Sequence, residues 1–96
     1  MIGSFKGRST EDIFDGAHSK KARATLPQEL MAIARRKLSQ LQAARALDDL
    51  RLPGSHLEAL KGDRVGQWSL RINDKYRLCF TPDGSNFQNV EIVGYH

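Results

Sequence analysis

The chain has 96 residues and a mass of 10.8 kDa, which fits a single domain over residues 1–96 and leaves no room for two hydrophobic cores. Its hydrophobic share of 40% and charged share of 27% are those of a folded globular chain and exclude fibre and disorder. A net charge of +4 and a pI near 9.6 favour polyanionic partners, nucleic acid first among them.

In chain order, Met1 to Phe5 alternates loosely and predicts an edge strand carrying Ile2 and Phe5. Ser9-Thr10-Glu11-Asp12 reads as a helix start, with a hydroxyl to cap and acids for the first turn, and Gly16 as its end. His18-Ser19-Lys20-Lys21 is too polar to bury and reads as a loop. Pro27 suits the first turn of a second helix, where its missing N–H has no partner to lose. Leu30, Ile33, Ala34, Leu38 and Leu41 then form one apolar stripe at three- and four-residue spacing. The Ala-rich stretch from Leu41 to Leu47 continues that helix to about five turns, with Pro53-Gly54 beyond its end.

From Gln67 the period drops to two. Trp68, Leu70 and Ile72 alternate with polar residues, and so do Tyr76, Leu78 and Phe80, which predicts two half-buried strands. Asn73-Asp74-Lys75 is the hairpin loop between them, Pro82-Asp83-Gly84 the next turn, and Asn89 to Val93 a third strand with Val90 and Ile92 in phase. The C-terminal half therefore reads as an antiparallel meander covered by the helices, an α+β arrangement.

Register follows from the core. Pairing Ile72 with Tyr76 across a three-residue loop puts both apolar triplets on one face, whereas a two-residue loop, one residue out of step, puts one set in water. Arg71 then stands opposite Arg77 on the other face, a like-charge pairing that costs a few tenths to about 1 kcal/mol. With Val90 and Ile92 turned inward, Glu91, Val93 and Tyr95 share the face of Arg77. Two readings stay open there: a solvated face on which Glu91 neutralises an arginine, or an anion site.

Local signals of other chemistry are missing. The sequence has no phosphate-binding glycine loop and no nucleophile elbow. A lone cysteine, Cys79, and three scattered histidines, His18, His56 and His96, leave no disulfide and no metal site to expect. No apolar run approaches membrane length, and the opening residues lack a signal-like stretch, so a cytoplasmic protein is expected. The end, Gly94-Tyr95-His96, supplies two proton-exchanging groups directly after a strand. The positive charge sits in residues 1–48, with nine Lys/Arg against five Asp/Glu, whereas residues 49–96 carry six of each.

Three stretches carry a resemblance that spans essentially the whole chain. They are Leu57 to Asn73, with Leu60-Lys61-Gly62-Asp63-Arg64 at its centre; Tyr76-Arg77-Leu78-Cys79-Phe80; and Val90-Glu91-Ile92-Val93-Gly94-Tyr95-His96. Together with Thr25-Leu26-Pro27 and Ala34-Arg35-Arg36-Lys37-Leu38, the chain resembles the HigB toxins of the RelE-like superfamily, toxins of type II toxin–antitoxin systems. The resemblance implies two N-terminal helices packed on a twisted, mainly antiparallel sheet. It implies ribosome-dependent cleavage of mRNA with neither metal nor cofactor. The implied partners are the ribosome and its mRNA, and a HigA-like helix-turn-helix antitoxin through which alone the toxin meets operator DNA; no membrane is involved.

The family's site residues fall on Lys61, Arg77, Tyr95 and His96. Arg64, Arg71, Arg35 and Arg36 are candidate RNA contacts. Some members have a histidine where this chain has Glu58, and many have an acid where it has Gly94, so the second proton-transfer role stays open between His56 and Glu58. These departures also keep alive the reading of a RelE-like module that binds RNA or protein without cutting; a nuclease that needs no ribosome is a second alternative.

Overall fold

The computed structural model describes residues 1–94. Helices α1 (Arg8–Asp15), α2 (Lys20–Thr25) and α3 (Met31–Ala43) precede strands β1 (Glu58–Ala59), β2 (Trp68–Arg71), β3 (Tyr76–Pro82) and β4 (Phe87–Gly94). The strands lie side by side in chain order, each antiparallel to its neighbour. The architecture is the expected α+β, with one helix more than the two anticipated.

Each helix departs from its sequence reading for a local reason. α1 starts at Arg8 behind Gly7, whose φ of 88° sets the entry, and no side chain caps it, so Ser9 is not the cap. Thr10 is buried and its hydroxyl accepts the Ile92 N–H at 3.0 Å, which ties α1 to β4. Gly16 closes the helix as expected, in the left-handed conformation at φ 76°. α2 stands in the segment whose start was read as loop. The Ser19 hydroxyl accepts the Ala22 N–H at 3.0 Å and caps it, while Ala22 and then Leu26 enter the core. Six residues are too few to display a helical period.

α3 stops at Ala43, after 13 residues rather than about five turns. A 3-10 turn at residues 28–30 takes the place of its expected first turn, and Ala44 is already extended. The Asp49 carboxylate accepts the N–H groups of Arg45 and Ala46 at 2.9 and 3.2 Å. A continuing helix would need those donors for its own ladder, so the side chain competes the helix away. The chain instead makes a 3-10 turn over Leu47–Leu50 and buries Leu50 completely.

Ile13, Leu26, Ala34, Leu38, Leu41 and Leu50 meet Leu70, Leu78, Phe80 and Val90 in one core. Each large aliphatic side chain buried there contributes about 1.5–3 kcal/mol against the entropy of ordering the chain. Leu30 and Ile33, from the expected stripe, pack half-buried at its margin. No helix among the described residues is long and apolar enough to cross a membrane.

The hairpin register is the expected one. Leu70 faces Leu78, Arg71 faces Arg77, and the Ile72 N–H donates to the Tyr76 carbonyl at 3.0 Å. Asn73 closes the loop by accepting the N–H groups of Lys75 and Tyr76, both at 2.9 Å. β4 begins earlier than read, at Phe87, because a bulge hides its period. Thr81 pairs with Gln88 and Cys79 with Glu91, so Asn89 and Val90 together oppose Phe80. Asn89 takes the left-handed backbone at φ 54°, which asparagine tolerates better than most residues. The extra residue lets both Phe87 and Val90 point inward, and Phe87 meets Phe80 edge-on at 5.2 Å. The opening residues pair parallel to β4, through Ile2 with Phe87 and Phe5 with Val90.

The β3–β4 turn is organised by Asp83. Its carboxylate accepts the Asn86 N–H at 2.6 Å, the Gln88 amide at 2.7 Å and the Ser85 N–H at 2.9 Å. These bonds, that from Asn86 first, lower its pKa to about 2 from 3.8. The resulting stabilisation is complete above 3.8 and disappears as pH falls toward about 2. Asp83→Ala should therefore melt below the wild type at neutral pH, with the gap closing through that acid window. Thermal denaturation against pH measures it, and a gap that does not change with pH would remove the carboxylate from this role.

Candidate active site

The helices cover one face of the sheet, and strand alternation turns the other set of side chains away from them. Read across the four strands, Glu58, Ser69, Cys79 and Glu91 stand in one row, with Arg71, Arg77 and Val93 in the next. The two facing arginines are kept apart by separate acceptors. Arg71 turns to Asp74 in the hairpin loop and makes an ion pair with it. Arg77 reaches diagonally toward β1, where its Nη1 donates to Ser69 Oγ at 2.8 Å and its Nη2 lies 3.8 Å from Glu58 Oε2. Its side chain is 20% exposed, so the guanidinium is held in place yet still faces solvent.

The loop from β1 to β2 brings two further cations over this face. The Leu60 N–H donates to the Gln67 carbonyl at 2.9 Å and closes the loop. Gly62, at φ 65°, begins a 3-10 turn through Arg64. Arg64 donates to Gln67 at 3.0 Å and to Glu91 at 3.1 Å, and Lys6 lies 3.8 Å from the same Glu91 carboxylate. An open cleft of about 430 Å³ results, lined by Glu58, Leu60, Lys61, Arg64, Asp74 and Arg77. Three cations face two carboxylates there, an arrangement that attracts an anion while keeping a proton acceptor beside it.

The structure brings Lys61, Arg64, Arg77 and Glu58 together and leaves other candidates outside. His56 is exposed on a left-handed backbone, φ 46°, and does not line the cleft. Arg35 and Arg36 belong to α3 on the covered face, where Arg35 donates to the Ile13 carbonyl at 3.2 Å. Glu91 does neutralise an arginine, but this is Arg64 from the loop and not one of the strand pair. Tyr95 and His96 lie outside the described residues. The strand that precedes them passes Arg77 at Val93 and Tyr76 at Gly94. Among the described residues, no group of three or more His, Cys, Asp or Glu side chains is placed to hold a metal ion. Ser69 is the contact that sequence reading missed. The hairpin register already places it opposite Cys79, one position along from the arginine pair.

A family model for the RelE-like toxin of the type II toxin–antitoxin system HigB matches residues 4–96. The chain belongs to the HigB-like toxin family. Toxin HigB-1 of Vibrio cholerae serotype O1 is 36% identical over 81 residues, covering 83% of this chain and 82% of its own. An uncharacterised protein of Haemophilus influenzae is 31% identical over 78 residues, with 80% and 72% covered. In structure the chain resembles the YoeB–YefM complex from Staphylococcus aureus, with a TM-score of 0.62 and 20% identity over 100% of this chain and 98% of that one. It also resembles the YoeB dimer from the same organism, with a TM-score of 0.61 and 17% identity over 99% and 97%. These two likenesses establish the RelE-like fold.

In this HigB-like chain the loop that leads to Glu58 is tied down from the core side. Ser55 is fully buried, its carbonyl accepts the Arg71 N–H at 2.7 Å, and its hydroxyl meets Lys37 Nζ at 2.7 Å. Lys37 thus links α3 to the loop before β1 and, through Ser55, to β2. Burial lowers the pKa of its ammonium from 10.5, and the neighbouring Arg36 charge lowers it further. Between the lowered value and 10.5 the unfolded chain binds a proton that the folded chain does not, so stability from this group rises with pH. Comparing wild type with Lys37→Met from about pH 7 to about pH 10 should show the melting-temperature difference moving in the wild type's favour. A difference flat in pH would mean that the ammonium is as well solvated folded as unfolded.

Proposed function

We propose that this HigB-like chain is a ribosome-dependent endoribonuclease that cuts mRNA during translation and so stops protein synthesis. The observation that carries the reading is the convergence of Lys61, Arg64 and Arg77 with Glu58 on one open cleft. Metal-free RNA cleavage proceeds by attack of a 2′-oxygen on the adjacent phosphorus. The hydroxyl gives its proton to a base, the P–O5′ bond breaks, and an acid returns a proton to the departing 5′-oxygen, leaving a 2′,3′-cyclic phosphate. The crowded phosphorane carries extra negative charge, which Lys61 and Arg77 are suited to hold, Arg77 bidentately.

Of the two candidates for the second proton role, Glu58 is favoured over His56 because it lines the cleft and stands 3.8 Å from Arg77. His96 takes the other proton role, with Tyr95 assisting it or stacking on a base. Such a set is modest for a nuclease. A ribosome that holds mRNA in a reactive geometry supplies what the side chains lack, since positioning is worth several kcal/mol.

The same reading gives the chain a cytoplasmic setting and an antitoxin partner; the Staphylococcus aureus structure it resembles is a YoeB–YefM complex. The partner is a helix-turn-helix antitoxin of the HigA kind that masks the toxin and carries it to operator DNA. Arg35 and Arg36 of α3 and the lysines of α2, which do not line the cleft, are suited to ribosomal RNA phosphates. Contacts of that kind weaken steeply with added salt.

Cleavage assays on programmed ribosomes and on naked mRNA test the reading. Wild-type protein should generate new 5′ ends in translated frames only on ribosomes. Arg77→Ala should lower kcat/KM by about 10² to 10³, and removal of Tyr95 and His96 should relieve growth arrest while leaving the melting temperature unchanged. An absence of new 5′ ends would make the protein a non-cutting module, and cleavage of naked mRNA would make it a free-standing nuclease.

A further inference from the structure

We infer that Ser69 is the positioning residue that aims the Arg77 guanidinium into the cleft with its charge left available, an inference that rests on the nuclease reading. Ser69 is fully buried although it lies on the sheet face turned away from the α-helices. Its hydroxyl accepts from Arg77 Nη1 at 2.8 Å. The chemistry of that acceptor is the point. Arg71, directly across the ladder, is bound to a carboxylate and so presents little net charge. Arg77 makes its close hydrogen bond to a neutral oxygen, which fixes direction, while its carboxylate partner Glu58 stands off at 3.8 Å and cancels less of its charge.

A second acceptor lies nearby. The Glu58 carboxylate is 3.8 Å from Arg77 Nη2, and Glu58 pairs with Ser69 across β1 and β2. Two outcomes are therefore available to the guanidinium. Held by Ser69, it keeps a looser approach to Glu58, and both groups remain open to substrate. Released from Ser69, it closes on the carboxylate, and the cation for the phosphorane and one proton-transfer group are lost together. Position and charge are separable by substitution at this one residue.

Three variants do so, each assayed for mRNA cleavage on programmed ribosomes beside wild type and Arg77→Ala, with melting temperature as the folding control. Ser69→Ala removes the acceptor and should lower kcat about ten- to a hundredfold, with KM within about twofold, the mark of an interaction used only in the transition state. Ser69→Thr keeps a neutral hydroxyl and should restore most of that loss. Ser69→Asp keeps an acceptor but adds the cancelling charge, and should be as impaired as Ser69→Ala. If Ser69→Ala cleaves like wild type while Arg77→Ala does not, the positioning role falls and the nuclease reading stands. If Ser69→Asp cleaves like wild type, the neutral acceptor has no significance. If Arg77→Ala itself cleaves like wild type, both readings fall.

Discussion

The apolar side chains of one hairpin govern the rest. Leu70, Ile72, Leu78 and Phe80 must all face the helices, which forbids a one-residue slip, and the three-residue loop Asn73-Asp74-Lys75 sets the register that pairs Leu70 with Leu78. That register leaves Arg71 and Arg77 no choice but to stand opposite each other on the far face. Like charges in that relation repel by up to about 1 kcal/mol, so each guanidinium needs its own acceptor. The acceptors differ in charge, carboxylate for Arg71 and hydroxyl for Arg77. A packing requirement on one side of the sheet thus becomes a polarised arrangement on the other.

The sheet acts as a partition between stability and chemistry. On one side, α3 and α1 supply the apolar cover, and Thr10 and Lys37 fasten the helices to β4 and to the loop before β1. On the other, Arg77 and Ser69 sit on strands, whose positions are fixed by ladder bonds, while Lys61 and Arg64 ride on a loop. The rigid pair can set direction, and the loop pair can adapt to what enters the cleft. Glu91 moderates this by holding Arg64 and Lys6, which leaves Lys61 and the loosely paired Arg77 and Glu58 to meet a ligand.

Much of this was legible in the sequence, and the misses share a cause. The hairpin and its arginine pair follow from strict alternation, which survives unbroken from Trp68 to Ile72 and from Tyr76 to Phe80. Lys61 and Arg77 match the family's motif, Glu58 departs from it, and the fold brings all three to one cleft. The helices fared worse because their ends are decided by single polar side chains acting across short gaps: Ser19 starts α2, and Asp49 denies α3 its continuation. Phe87 was overlooked because Asn89 adds a residue and shifts the strand's phase. Nothing in the pattern separates His56 from the cleft either; its left-handed backbone is visible only in three dimensions.

The parallel pairing of the opening residues with β4 has an outcome for how copies of the protein behave in company. That pairing occupies β4 beside Phe87 and Val90, and the Thr10 hydroxyl takes the N–H of Ile92 further along. At the opposite border lies β1, which is only two residues long. Among the described residues, neither border offers the run of unsatisfied amides that lets one sheet template another. Stacking of one sheet on another at these borders is thereby discouraged.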